Sequence, residues 1–245
     1  MRRVAVVVAA MVVVASSAAC GAGGFLRQYE YEEDTYLGLD GTATVYLNSS
    51  LAALDALRGT SLDSRGSRLE RARIRETFAT PVATVDTVTG FRRSGRQFVH
   101  VKLTVPDIRR LNEAPMFAWS TYRFSREGNL YVFKQNVGRA AGKDVADAGW
   151  TGRELVAFRL HLPSKIAYHN TLPGNLKRGN ILVWEQSLEE RRRGTALLID
   201  ARMETQSILY RTLFLFGATF AVVAVMFGLV LWWIFHIRLE KRISQ

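Results

Sequence analysis

One cysteine, Cys20, is the side chain of this 245-residue sequence best suited to covalent chemistry. It follows the small residues Ser17, Ala18 and Ala19 and precedes the glycine-rich run 21–24. A lone cysteine has no partner for an internal disulfide, but its thiolate is a sulfur nucleophile that can form a thioether. Cys20 is therefore either the attachment site of a lipid or an unmodified thiol.

The residues before Cys20 have the layout of an export signal. Two arginines form a charged start, and the uncharged apolar stretch Val4–Ala15 follows. A helix of this length covers about 18 Å, well short of the ~30 Å hydrocarbon core of a bilayer. Ser17–Cys20 is similar to the box that ends bacterial lipoprotein signals, with a serine where an aliphatic residue is usual. We expect residues 1–20 to be a signal peptide with lipidation at Cys20. Ordinary cleavage after Ala19 and an uncleaved anchor are the alternatives.

The C-terminal stretch Thr212–Phe235 is a second apolar segment without a charge, and it is twice as long. As a helix it would extend about 36 Å, enough to cross a bilayer with some tilt. Tyr210 and Trp232 lie near its ends, where aromatic residues suit membrane interfaces. The sequence predicts a transmembrane helix over 210–237. The export signal then predicts that residues 28–205, after a flexible tether at 21–27, lie outside the bacterial cytoplasmic membrane and that the tail 238–245 is cytoplasmic.

Most of the formal net charge of +11 belongs to the region between the two apolar segments. Its basic residues are scattered, and no zinc-finger spacing, aromatic RNA-binding strand or recognition-helix pattern accompanies them. We therefore expect no nucleic-acid partner. The basic triplet Arg191, Arg192 and Arg193 precedes the predicted span by about eighteen residues, in a predicted turn between two strands. Contact with anionic headgroups and an ordinary solvated turn are the two interpretations of this triplet.

The remaining polar residues form no catalytic or metal-binding pattern. No nucleophile elbow, Walker loop or paired nucleophile and base is found, and the four histidines lack metal-ligand spacing. The acidic stretch Glu30–Asp34 could hold calcium or supply paired carboxylates, but alternation along a strand favours a solvent-facing polar edge. We expect no cofactor, no metal and no enzymatic activity.

The residue pattern between the apolar segments predicts an α+β domain that consists of an antiparallel, hairpin-rich sheet with short helices. Asp40-Gly41 and Ser94-Gly95 are turn signals between alternating strands. The stretch Leu51–Arg58 predicts a short helix with a serine or asparagine cap and a closing glycine. The other predicted elements are a helix over Ser67–Phe78 and strands at Thr84–Arg93, Gln97–Val105, Phe117–Ser125, Leu130–Val137, Glu154–Leu162, Lys165–His169, Asn180–Ser187 and Ala196–Met203.

The last fifty residues before the predicted span resemble the mycobacterial LppM-type lipoproteins and their relatives, as does the overall layout. The residues that carry this resemblance are Phe158, Leu160, Leu162, Pro163, Asn170, Trp184 and Leu197–Ala201. Ser164 departs from the glycine of the family pattern. The resemblance implies a membrane-associated envelope domain that binds lipids or glycolipids, and it brings no catalytic residues.

These observations together predict a noncatalytic, membrane-anchored envelope protein. Its expected partners are the membrane, an envelope lipid or glycolipid, and a membrane protein. A scaffold or assembly subunit of a membrane complex is the alternative hypothesis, and an envelope hydrolase is the third.

Overall fold

The computed structural model describes residues 27–62, 70–141, 143–145, 148–172, 176–177 and 180–243. The predicted signal peptide, Cys20 and most of the tether lie outside the described residues. The described part contains two β-sheets, short helices and one long C-terminal helix. The predicted α+β class is therefore confirmed.

The first sheet has seven strands in the order β3-β4-β2-β1-β7-β10-β9. Strands β1 and β7 are parallel, and the other neighbouring pairs are antiparallel. Its strands are β1 Tyr29–Leu37, β2 Ala43–Ser50, β3 Thr84–Arg93, β4 Arg96–Val105, β7 Leu155–His161, β9 Leu176–Lys177 and β10 Ile181–Ser187.

The second sheet has four antiparallel strands in the order β5-β6-β11-β8. They are β5 Ser120–Glu127, β6 Leu130–Val137, β8 Ser164–His169 and β11 Leu197–Ser207. Pro163 separates β7 from β8, so the chain leaves the first sheet and enters the second at this residue.

The predicted turns connect the hairpins as the sequence indicates. Ser94 and Gly95 both have positive φ angles, which a two-residue hairpin turn requires, and they link β3 to β4. The β1–β2 connection closes through a hydrogen bond from Gly38 N to Thr42 O at 2.7 Å. Gly41 has a φ of 91° in this connection. The turn residues therefore determine these two antiparallel registers.

The short helices pack beside the sheets. Helix α1, Leu51–Arg58, begins at Ser50, whose side chain accepts a hydrogen bond from Ala53 N, and ends at Gly59 in the left-handed conformation. Helix α2 spans Arg71–Phe78, and helix α3 spans Leu188–Arg192. Two 3₁₀ turns, Ile108–Glu113 and Pro115–Phe117, lie between β4 and β5.

Apolar side chains from both sheets, α1 and α2 fill the space between these layers. Large aromatic rings contribute much of this core, and their burial supplies the main stabilising term. The most buried large side chains include Tyr31, Phe78, Phe98, Phe117, Phe133, Leu47, Leu54 and Ile108. The core is therefore packed with side chains rather than hollow.

Helix α4, Ile208–Ile243, follows β11 without a linker. Its segment Ile208–Trp233 has a mean hydropathy of 2.5, and none of its most apolar stretch is buried. By length and composition this segment is a candidate membrane span. The direction in which it would cross a membrane stays a prediction.

Strand directions define two ends of the domain. Ile208 N donates a hydrogen bond to Pro163 O at 3.1 Å, so the end of β7 lies beside the start of α4; this is the α4 end. Strand β11 also runs to this end, and its eleven residues place its start about 33 Å away. Leu155, Ser187 and helix α3 lie at the opposite, distal end.

Candidate functional site

A cavity of about 310 Å³ opens at the distal end of the domain. Its volume is at the lower limit of the range for small-molecule sites. An indole, a guanidinium group and two carboxylates share its wall with small and apolar residues. The residues that line it are Trp150, Gly152, Glu154, Leu188, Glu189 and Arg192, with Val145 and Ala148 from the preceding loop.

Helix α3 forms one wall of the pocket and is fixed by its own sequence. The Ser187 hydroxyl accepts a hydrogen bond from Glu190 N at 3.1 Å, and the Glu190 carboxylate accepts one from Ser187 N at 3.1 Å. This reciprocal capping box satisfies two donors at the helix start. The side chain of Leu188, the first residue of the helix, is buried. Glu189 and Arg192, three residues apart on the helix, are thereby positioned at the pocket.

Glu154 lies buried in the pocket wall as a fixed negative charge. Its carboxylate accepts hydrogen bonds from Thr151 N at 2.7 Å and Gly152 N at 2.8 Å. Burial opposes ionisation of this carboxyl, but the backbone N–H groups outweigh burial and lower the pKa of Glu154. Gly152 has a φ of 83°, a conformation that favours glycine. The carboxylate is therefore ionised at neutral pH and held rigidly.

Arg192 and Trp150 lie together in the pocket lining. The guanidinium carbon of Arg192 is 5.4 Å from the centre of the Trp150 ring. Arg192 also lies 3.7 Å from the carboxylate of Asp144 and 3.9 Å from that of Glu189. The Trp150 indole N–H donates to Glu30 Oε2 at 3.4 Å. A cation over an aromatic ring between carboxylates presents both charge and a flat apolar surface.

The structure separates the three arginines of the predicted triplet. They belong to helix α3 and its end, not to the simple turn expected from the sequence. Arg191 is fully buried, and its Nη2 donates to Gly138 O at 2.6 Å. Burial, followed by repulsion from Arg58, lowers the pKa of Arg191. Arg191 therefore does not lie on a surface that headgroups could touch. Headgroup contact by Arg192 and Arg193 stays a prediction.

The expectation of a solvent-facing polar edge at Glu30–Asp34 is wrong for this strand. Strand β1 lies inside the first sheet, between β2 and β7, and Glu30 and Glu33 are buried. Glu30 pairs with Arg96 at 2.9 Å. On the face of β1 opposite to Glu33, Glu32 and Asp34 both pair with Arg159, at 2.6 and 3.2 Å. No cluster of three metal-binding side chains occurs among the described residues.

Glu33 links the two sheets through the core. Its Oε1 accepts from Gln135 Nε2 at 3.1 Å and from the Tyr122 hydroxyl at 3.3 Å, both in the second sheet. Its Oε2 accepts from the Tyr31 hydroxyl at 3.0 Å and from Arg58 Nη2 at 3.4 Å. Burial raises the pKa of Glu33 although Arg58 and these donors lower it. No sequence signal identified this cluster, because its members come from distant elements.

The described histidines lie apart from the pocket. His100 and His161 lie on the exposed face of the first sheet, and His169 lies in the second sheet beside Ala201. His236 belongs to helix α4. No sequence signal indicates the pocket, because Trp150 and Glu154 belong to a segment that carries no motif.

The fold and the pocket define a class of protein: a two-sheet α+β domain joined directly to a candidate membrane-spanning helix. Comparison with protein families gives no match, and neither does comparison with curated proteins. A similar solved structure is the NMR structure of the Mycobacterium tuberculosis LppM protein folded domain, at 9% sequence identity and a TM-score of 0.38, covering 75% of this chain and 95% of that chain. This is a weak similarity at the level of fold only.

Proposed function

We propose that this chain is a noncatalytic, membrane-anchored bacterial envelope protein that binds the polar part of a glycolipid in the pocket beside α3. The pocket itself is the observation that carries the proposal. It combines a flat indole, a cation and two carboxylates, which are groups that hold hydroxyl-rich molecules by stacking and hydrogen bonding.

The dimensions of the pocket favour a headgroup over an acyl chain. Its volume of about 310 Å³ suits one or two small rings, and charged groups line it. Burying an alkyl chain against ionised Glu154 and Arg192 would remove water from those charges without compensation. Side chains fill the space between the sheets, where a lipid tail would otherwise be held.

The position of the pocket favours a glycolipid over a simple phospholipid. When the domain stands upright on α4, the pocket lies at the distal end, about 20 to 30 Å along the strands from the α4 end. A phosphate headgroup at the bilayer surface would have to leave the bilayer to arrive there. A glycan that extends from its lipid anchor has no such cost.

The test uses the full chain in detergent micelles. Water-soluble glycans are released from envelope glycolipids by mild alkaline deacylation and titrated into the protein by calorimetry. We expect saturable binding that weakens at least tenfold in Trp150→Ala and in Arg192→Ala. Arg109→Ala is the matched control, because the Arg109 side chain is 56% exposed, pairs with Asp107 at the 3₁₀ turn after β4 and lies outside the pocket lining.

Two results would contradict the proposal. One is the absence of binding to any released glycan, together with no lipid in an organic extract of the purified protein. The other is an equal loss of binding in Arg109→Ala. A single stoichiometric protein partner in membrane crosslinking, without glycan binding, would favour the scaffold alternative.

A further inference from the structure

We propose a second binding surface, separate from the pocket, on the exposed face of the first sheet: a docking surface for an uncharged, hydroxyl-rich chain such as a neutral polysaccharide. Its centre is an aromatic row that takes one residue from each of four neighbouring strands. The members of this row are His100 of β4, Tyr46 of β2, Tyr36 of β1 and His161 of β7. Four adjacent strands give the row a length of at least about 14 Å.

The rings of the row support one another. Tyr36 and His161 are stacked with centres 3.8 Å apart, and Tyr46 and His100 are stacked at 5.6 Å. The Tyr36 and Tyr46 rings meet edge to face at 5.5 Å. Because the rings cover one another's faces, their outer edges point to solvent, and Tyr36 remains 45% exposed. The row is therefore a rigid ridge whose free groups are polar.

Four polar groups of this face lack a partner within the described part of the chain. Two are the hydroxyls of Tyr36 and Tyr46. The other two, Asn48 Oδ1 and His161 Nε2, are also shielded from solvent. The Asn48 amide is oriented by its donation to Glu32 Oε2 at 2.7 Å, which leaves Oδ1 to accept. Shielded groups of this kind gain from a ligand that both donates and accepts hydrogen bonds, as a hydroxyl does.

The cations nearest to the aromatic row are already paired. Arg159 contacts the carboxylates of Glu32 at 2.6 Å and Asp34 at 3.2 Å, and Lys102 contacts that of Asp86 at 3.2 Å. Burial lowers the pKa of His161, so its imidazole is neutral at neutral pH. Among the described side chains beside the aromatic row, Arg159 and Lys102 are therefore not free to pair with a nucleic acid or an anionic headgroup. An uncharged ligand needs no counter-charge, so the pairing of these side chains does not weaken its binding.

The chemistry of the ridge also distinguishes a glycan from a protein partner. Protein interfaces centre on apolar anchors that become fully desolvated. The aromatic row instead presents hydroxyl and imidazole edges. Its neighbours on the face are an amide, carboxylates and an arginine, and the stacked rings of Phe91 and Phe98 lie beyond its His100 end. Hydroxyl groups spaced along a sugar chain match such a line of donors and acceptors.

The experiment titrates the detergent-solubilised full chain with dextran, yeast mannan and arabinogalactan, and with dextran sulfate as the charged comparison. We expect at least one neutral polymer to bind, and to bind at least fivefold more weakly to Tyr36→Ala and to Asn48→Ala. Tyr168→Ala is the matched control, because Tyr168 is 47% exposed but lies in the second sheet. Trp150→Ala should leave this binding unchanged, which separates the surface from the pocket.

Three outcomes would overturn the proposal. The first is that none of the three neutral polymers binds. The second is that dextran sulfate binds more tightly than all of them. The third is that Tyr168→Ala or Trp150→Ala weakens binding as much as Tyr36→Ala. If the released glycans fail to bind the pocket while a neutral polymer still binds this face, the proposed function is refuted and the proposal of a second surface is not.

Discussion

Arg58 is the counter-charge of Glu33, and its removal should destabilise the domain in a pH-dependent way. The Arg58 side chain is 3% exposed, donates to Glu33 and to the Tyr31 hydroxyl, and lies with its guanidinium carbon 3.2 Å from the centre of the Trp119 ring. Arg58→Met keeps much of the volume but leaves the carboxylate without a cation. Breaking a buried pair from one side costs about 3 to 5 kcal/mol in free energy of unfolding.

The pH dependence follows from the pKa of Glu33. Burial already raises this pKa, and Arg58 is the largest influence that lowers it, so Arg58→Met raises the folded-state pKa further. A carboxyl with a raised folded-state pKa contributes stability that is fully present below its ordinary pKa. That contribution is lost as the pH rises through the raised pKa. The variant should therefore lose more stability at pH 8 than at pH 5.

Urea unfolding of the full chain in detergent micelles, followed by tryptophan fluorescence, measures these differences. The double variant Arg58→Met with Glu33→Gln carries no unpaired charge, and we expect it to regain at least about 1.5 kcal/mol at pH 8. Arg193→Met, which removes an exposed ion pair, should change stability by less than about 0.5 kcal/mol. Equal losses at pH 5 and pH 8, or no recovery in the double variant, would refute the role assigned to Arg58.

Four further expectations concern other parts of the chain. Arg191→Met should lower the free energy of unfolding by about 1 to 3 kcal/mol, because the Gly138 carbonyl loses its buried donor; a loss below about 0.5 kcal/mol in urea unfolding would contradict this. The imidazole of His161 should titrate below its ordinary pKa by NMR because it is buried, and Asp34→Asn should lower that pKa further, so an upward shift would count against the assignment. Phe220→Arg, near the middle of the candidate span, should cost about 2.5 to 3.5 kcal/mol of insertion and increase the fraction of protein extracted by alkaline carbonate. Mass spectrometry of the N-terminal peptide should show a diacylated Cys20, and a free cysteine or an intact Met1 would exclude lipidation.

Local signals predicted most of the elements of the fold. The pair Ser94-Gly95, the cap at Ser50 and the closing Gly59 each act within a few residues, and the structure confirms all three. Along β1 the side chains alternate from Glu32 onward, with Glu33 buried and Glu32 and Asp34 partly exposed. Such features depend on backbone conformation and on the two-residue period of a strand, which a single sequence displays directly.

Those local signals do not predict which distant strands pair with one another. The parallel contact of β1 with β7 joins residues more than 120 positions apart, and it turned a predicted edge into an interior strand. The burial of Glu30 and Glu33 follows from that contact, as does the pocket, because Glu154 directly precedes β7. Arg191 shows the same limit, since a run of three arginines gives no sign of which one turns inward.

The topology changes what lipidation of Cys20 would do. Gln28 lies at the distal end, where its carbonyl accepts a hydrogen bond from Leu155 N at 2.8 Å. From Leu155 to Pro163 the chain runs about 26 Å toward the α4 end at the rise of a strand. The eight residues from Cys20 to Gln28 span at most about 28 Å when fully extended.

A lipid on Cys20 would therefore leave almost no slack for an upright domain held by α4 in the same membrane. Any tilt of the domain shortens the distance that the tether must cover, and a chain gains conformational entropy when it is less than fully extended. A lipid on Cys20 and an upright domain are thus compatible only with a nearly fully extended tether, so the mass of the N-terminal peptide also bears on the position of the pocket.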